Sequence, residues 1–337
     1  MFLLQTPWSI DSLEAVDAAL QQAIRTRVNG GPTLALLPHS DGSEHDACSE
    51  KDVVSALAGL AKARAVYIGA SAYVRVDGEA VPRTVGLIIG PDGDVMARTA
   101  KVMPDFIEGY TDTAADTFQP ASFQIARTPL GQIGILCGED ILAPHVVRTM
   151  LVHGAEIILN PARERSDALF DSRTVARVAR AYENVVYVAV ASPNTATIDG
   201  ASVTLPQATA LYPPQGKAIS VRGAESYLSA DIDIEALRRR RVAPVLNFAS
   251  IVRMNLYAPG YKNEASAPTS SPQSRDEWLT DGQARVAAKA RAPQSDDVTT
   301  YSAMIGQHVV HQSHTPEQLV ERRQPNLDDA FDLVRNY

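Results

Sequence analysis

Residues 131–163 read GQIGILCGEDILAPHVVRTMLVHGAEIILNPAR. The stretch opens on an apolar strand, IGIL. It turns at a polar corner, Cys137-Gly138-Glu139-Asp140. From Val146 to His153 the apolar residues fall at helical spacing, and Gly154 closes that helix. AEIILNPA is then a second buried strand. Continuous apolar strands joined by helices predict a sheet covered by helices.

The same rhythm extends in both directions. Upstream, Ser12 to Val28 is predicted helical and Gly30-Gly31-Pro32 breaks the chain before the short strand TLALLP. Val53 to Ala63 is a helix, and AVYIGASAYV a strand. VGLIIGPDGDVMART is two strands around a turn at Pro91-Asp92-Gly93. Downstream, Thr174 to Asn184 is a helix and VVYVAVASPN a strand. ATALYPPQGKAIS reads as a hairpin, and ESYLSADID as a further strand. The hairpins exclude a purely parallel sheet, so the fold class is α/β with mixed sheets. Composition changes near residue 262, where KNEASAPTSSPQSR has no periodicity. A main domain over 1–261 and a linker with a helical C-terminal extension over 262–337 are therefore expected. In the extension, Thr315 and Gln318 form a capping-box pattern, and Leu327, Phe331 and Val334 fall on one helical face. Such an apolar stripe suits subunit contacts in a homo-oligomer, or packing on the chain's own domain.

Several function classes are excluded. The net charge of −8 weighs against nucleic-acid binding. No apolar run is long enough for a membrane span. The N-terminal MFLLQTPWSIDSLEAV lacks the basic start of a secretory signal, so a cytoplasmic location is expected. Two cysteines, Cys48 and Cys137, cannot build a disulfide framework or a four-cysteine zinc site. His308, His311 and His314 have ligand-like spacing but no cysteine or carboxylate in register. Arg238 to Arg241 reads as a solvated helix end. GxGxxG and Walker patterns are missing. Neither a metal nor an organic cofactor is expected.

Polar residues at strand ends are the candidates for chemistry. TLALLP runs into His39, with Asp41 and Glu44 just beyond. IGIL runs into Cys137, Glu139 and Asp140. AEIILNPA ends at Asn160 and continues to Arg163, and Lys101 follows the arm VMARTA. A thiol becomes a nucleophile where cations lower its pKa, whereas a buried cysteine elsewhere is structural.

In order along the chain, NGGPTLALLP, VGLIIGPDGDVMARTAKVMP, LGQIGILCGED, HGAEIILNPA, ARVARAYENVVYVAVASPN, PQATALYPPQGKAI and LSADIDIEALRRRRVAPVL resemble segments of the carbon–nitrogen hydrolase (nitrilase) superfamily. The resemblance covers about residues 1–260 and looks most like the amidase branch. It implies an αββα sandwich and a Glu-Lys-Cys triad acting on an amide or nitrile carbon of a small molecule. Cys137 matches the nucleophile, Lys101 the oxyanion-stabilising lysine, and Glu108 in DFIEGY a second glutamate near the triad. Glu139, Asn160 and Arg163 are the expected substrate contacts.

Two departures matter. Where the family has Pro-Glu at the end of the first buried strand, this chain has Pro38-His39. Three readings stay open. His39 acts as the base, with activity following a histidine titration on its acid limb. Asp41 or Glu44 reaches in. Or the base is lost, and the chain is a binding subunit or catalyses a non-hydrolytic reaction such as acyl transfer. Secondly, Pro144 lies seven residues after Cys137 rather than the family's six, which alters the elbow around the oxyanion pocket.

Overall fold

The computed structural model describes residues 1–27, 30–40, 47–77, 82–103, 123–198, 201–221, 225–243 and 254–265, with isolated positions 280 and 284. The chain divides into two compact units, Met1–Thr280 and Asp281–Tyr337. Asp41, Glu44, Glu108, His308, His311, His314 and the expected tail helices lie outside the described residues.

Two mixed sheets face each other. The first contains β1 (Phe2–Leu4), β2 (Leu34–His39), β3 (Cys48–Ser49), β4 (Tyr67–Arg75), β5 (Arg83–Ile89) and β6 (Val95–Ala100). Its last strand in sequence, Tyr227–Ser229, pairs antiparallel with β1 at the edge. β1, β2 and β4 run parallel, whereas β4, β5 and β6 form antiparallel hairpins. The second sheet contains β7 (Ala126–Thr128), β8 (Gly131–Ile135), β9 (Ile157–Pro161) and β10 (Tyr187–Ala191), with Ala210–Tyr212 and Ile219–Ser220 completing it. The expected strand–helix–strand unit is β8, α3 (Pro144–Val152) and β9, with β8 and β9 parallel.

Period-2 alternation sorts the side chains into three cores. Leu34 and Leu36, Ile133 and Ile135, Ile157 and Leu159, and Ala189 and Ala191 meet between the sheets. Ala35 and Leu37 point the other way, onto α1 (Leu13–Arg25) and α2 (Glu50–Arg64). Ile158, Val188 and Val190 pack under α3 and α4 (Phe170–Asn184). This is an αββα sandwich. Each fully buried Leu or Ile contributes about 1.5–3 kcal/mol. The sheets pack so closely at Gly69 that a Cβ there would lie 2.4 Å from Leu159 Cδ1.

Elements too short for periodicity were not legible: β1, β3 and the hairpin Thr195–Ile198 with Ala201–Thr204. The four-arginine run differs from a merely solvated end. It closes α5 (Ile234–Val242), where Arg238 pairs with the buried Glu156 at 2.7 Å and Arg241 donates to the carbonyls of Val185 and Ala155. A helix at Met254–Ala265 runs across the position where composition changes.

Candidate active site

The ends of four strands, β2, β6, β8 and β9, meet over one small cavity of about 60 Å³, lined by His39, Thr84, Lys101, Cys137, Gly138, Glu139, Pro161, Ala162, Arg163, Glu164 and Arg165. The alternation explains why these side chains point there. Ala97 and Thr99 of β6 face the opposite sheet, and Lys101 continues that face. Ile133 and Ile135 of β8 do likewise, and Cys137 continues them.

His39 needs a further device. By simple alternation it would follow Ala35 and Leu37 onto the helix layer. The register of β2 against β4 shifts instead: Leu36 pairs with Gly69, and His39 with Ser71. Three steps on one strand match two on the other, which is a β-bulge and turns His39 to the face between the sheets. Pro38 sits in the bulge, where a missing N–H is tolerated, and its carbonyl accepts Trp8 Nε1–H at 2.8 Å. His39, Ser71, Gly86 and Thr99 then form one row across four strands. His39 Nδ1 lies 2.9 Å from Ser71 Oγ. Gly86 leaves room for sulfur, because a Cβ there would lie 3.3 Å from Cys137 Sγ. The sulfur also lies 4.0 Å from the Thr99 carbonyl.

The elbow after Cys137 is a 3-10 turn, Gly138–Leu142, and Pro144 opens α3. Gly138 has φ +47°, a conformation that glycine takes at little cost. Asp140 points inward. Its carboxylate accepts the N–H groups of Val102 (3.0 Å), Met103 (2.7 Å) and Cys137 (3.4 Å), tying the chain beyond Lys101 to the elbow. Burial pushes its pKa up to about 7, against the pull of Lys101 and these three N–H donors.

Charge is arranged in a chain behind the wall. The Lys101 ammonium lies 3.5 Å from Glu139 Oε2, and Glu139 Oε1 lies 3.9 Å from Arg173. Arg173 donates to Glu164 at 2.7 Å, and Arg177 also bonds Glu164. Glu164, Arg173 and Arg177 are all buried. Burial, then the cations Arg163, Lys101 and Arg165, push His39 down to about 3, with Glu139 opposing them. Its imidazole is therefore neutral at physiological pH.

Of the residues expected at the site, His39, Lys101, Cys137, Glu139 and Arg163 share the cavity. Asn160 lies a layer away. It faces α4, accepts from Arg177 at 2.9 Å and donates to the Gly138 carbonyl at 3.0 Å, so it supports the elbow rather than lining the cavity. Arg165, Glu164, Arg173, Arg177 and Thr84 were not foreseen. One signal was available: Arg173 and Arg177 stand four apart on the helical face that carries Ala176 and Ala181. Among the described residues no group of three His, Cys, Asp or Glu is arranged to hold a metal ion, and no helix is long and apolar enough to cross a membrane.

The carbon-nitrogen hydrolase family pattern matches residues 11–242, more than half of the chain. The chain belongs to the carbon–nitrogen hydrolase family. It is 28% identical over 162 residues to omega-amidase NIT2 of Xenopus tropicalis, covering 46% of this chain and 57% of that relative's length. The fold is similar to the carbon–nitrogen hydrolase of Helicobacter pylori G27, with TM-score 0.64, 18% identity and coverage of 77% of this chain and 97% of that one. It is also similar to the amidase of Nesterenkonia sp. AN1, a mutant of which has been captured with acrylamide added to its active-site cysteine, at TM-score 0.60 and 20% identity over 77% and 98% of the two chains. Nit3 of Saccharomyces cerevisiae shares the fold at TM-score 0.59 and 19% identity, over 72% and 93%.

Proposed function

We propose that the chain hydrolyses an amide-type C–N bond, or a nitrile, of a small non-peptide molecule through a thioester on Cys137. The observation that carries this reading is the convergence of Cys137, Lys101 and Glu139 on one cavity, with Lys101 and Glu139 3.5 Å apart. The thiolate attacks the carbonyl carbon, and the oxygen gains the electron pair of the C=O bond. The Lys101 ammonium stabilises that oxyanion. The leaving nitrogen takes a proton and departs as the C–N bond breaks. Water then attacks the thioester and releases the acid.

Proton transfer falls to a carboxylate rather than to His39. An imidazole that stays neutral down to about pH 3 is a weak proton acceptor. Glu139 is the described carboxylate on Lys101, and Glu108 is the other candidate. His39 serves as a neutral hydrogen-bonding group, oriented by Ser71. A cytoplasmic homo-oligomer belongs to the same reading. The outer face of α4 leaves Val175, Val178 and Tyr182 exposed, an apolar strip that a second copy would cover.

Acrylamide, which adds to the active-site cysteine of a mutant of the Nesterenkonia amidase, supplies the test. Intact-mass analysis is expected to find one adduct on the wild type, mapped to Cys137 and absent from Cys137→Ala. Cys48→Ala should keep the adduct and amide turnover. Lys101→Ala should lower turnover by about 10²–10³-fold. Turnover in Cys137→Ala would overturn the mechanism, and no adduct or turnover with any amide or nitrile would favour a binding subunit.

A further inference from the structure

Two arginines of α4, Arg173 and Arg177, stand one turn apart and end on the same buried carboxylate. Arg173 Nε donates to Glu164 Oε2 at 2.7 Å, and Arg177 Nη2 donates to Glu164 Oε1. Glu164 is fixed in turn to the second sheet. Its N–H donates to Ser192 Oγ at 3.0 Å, and Ser192 is bonded to Thr209 through its own N–H and carbonyl. Glu164 and Arg173 are 2% exposed and Arg177 is fully buried. Apolar residues of similar volume fill such a contact as stably as a buried ion cluster, and often more so. Stability alone therefore does not account for the three.

From Glu164 two arms reach one residue of the cavity. The first is ionic. Arg173 Nη1 lies 3.9 Å from Glu139 Oε1, and the Lys101 ammonium lies 3.5 Å from Oε2, so the two oxygens of Glu139 face different cations. Arg173 also faces Asp167 at 3.1 Å. The second arm runs through the backbone. Arg177 Nε donates to Asn160 Oδ1 at 2.9 Å, and Asn160 Nδ2 donates to the Gly138 carbonyl at 3.0 Å. That carbonyl belongs to the peptide that joins Gly138 to Glu139. The side chain and the backbone of Glu139 are thus both referred to one buried carboxylate.

We infer that Glu164, Arg173 and Arg177 are positioning residues that hold Glu139 opposite Lys101, by its side chain through Arg173 and by its backbone through Arg177 and Asn160. This rests on Glu139 as the group that moves protons for Cys137. Arg173 has a second effect, because a guanidinium beside a carboxylate favours its charged form. Lys101, Cys137, His39, Arg163 and Arg165 share the cavity with Glu139, and Asp140 follows it in the chain. A substitution at Arg173 leaves all six in place, so a change in the rate profile reports the link from Arg173 to Glu139.

The experiment measures kcat and KM against pH by ammonia release from the full-length chain, with aliphatic amides from acetamide to pentanamide. The rate at which acrylamide alkylates Cys137 is followed over the same pH range. Arg173→Gln is expected to lower kcat by about 10–10²-fold with KM little changed, the cost of misplacing a reacting group by about 1 Å. The acid limb of both profiles should move up by about one pH unit. Arg173→Lys keeps the charge and should return that limb to its wild-type place. In a Glu139→Gln background, Arg173→Gln should cost less than about 2-fold more, because the residue it acts through is gone. An equal loss in both backgrounds, or an acid limb that does not move, would overturn the inference and leave the cluster structural. If Arg173→Gln does not fold, Asn160→Asp enters the same cycle, since it keeps an acceptor for Arg177 and loses the donor to Gly138. Full turnover in Glu139→Gln overturns the proton role and the inference with it. If no amide is turned over while acrylamide still adds to Cys137, the hydrolase reading fails and the alkylation profile alone decides the positioning. No adduct on the wild type overturns both.

Discussion

His39 Nδ1 lies 2.9 Å from the Ser71 hydroxyl, on the strand beside it, and this leaves Nε2 for the cavity. A ring so held is a fixed dipole rather than a titrating base. The ratio of wild-type to His39→Asn turnover is therefore expected to be flat between about pH 5 and 8, the range in which an ordinary histidine changes charge. A step near 6.5 in that ratio would return the imidazole to the base's role. His39→Glu places a carboxylate beside Lys101 and should shift the acid limb of the rate profile.

Asp140→Asn removes an acceptor shared by three N–H groups and puts an amide donor among them. Misplacement of the elbow by about 1 Å can cost about 10²-fold in rate, so kcat should fall while acrylamide still labels Cys137. Full kcat in Asp140→Asn would mean that the clamp does not position the nucleophile.

The same two groups give opposite stability trends with pH. Asp140, raised from 3.8 to about 7, retains a proton in the folded chain that the unfolded chain releases. Its contribution is complete below 3.8 and is lost as pH rises through about 7. His39, lowered from 6.5 to about 3, contributes above 6.5 and loses that contribution as pH falls through about 3. In urea unfolding, His39→Gln should flatten the loss of stability on acidification, and Asp140→Asn the loss on the approach to neutrality. Parallel curves for wild type and both variants would contradict these shifts.

Arg177 is buried with Glu164, Arg173 and Asn160 around it. Arg177→Met leaves part of that charge uncompensated and should destabilise the fold by about 3–5 kcal/mol, read as a lower urea midpoint. A change below about 1 kcal/mol, the scale of an exposed pair, would mean that the cluster is solvated.

Ala65 ends α2 with φ +51°, in the left-handed region, and is exposed. Its N–H still closes the helix onto Ala61 and Lys62. Glycine takes this conformation without the Cβ conflict, so Ala65→Gly should stabilise by about 1 kcal/mol. A lower thermal midpoint would show that the helix end rearranges.

The sandwich was readable because its strands are long, apolar and separated by helices at 3.6 spacing. The elbow at Cys137 and the lysine after VMARTA were readable from strand ends and family likeness. The direction in which His39 points was not, because alternation counted from Leu37 aims it at the wrong layer. Pro38 inside a strand paired on both edges was the available signal of a bulge. Asn160 was misplaced for a related reason: it shares the parity of Ile158 and so faces α4. Arg173 and Arg177 are buried by partners distant in sequence, which no local pattern records.

The register shift in β2 also separates inheritance of the fold from inheritance of the chemistry. Leu36 and Leu37 serve the two cores, and the extra residue carries position 39 clear of both. A change of side chain there leaves both sheets' packing intact while it alters what meets the substrate. Deleting one residue between Leu36 and His39 would remove the bulge: two steps would then match two, the side chain at the strand's end would keep its place opposite Ser71 on the face between the sheets, and the loss would fall on Leu37 or Pro38 instead.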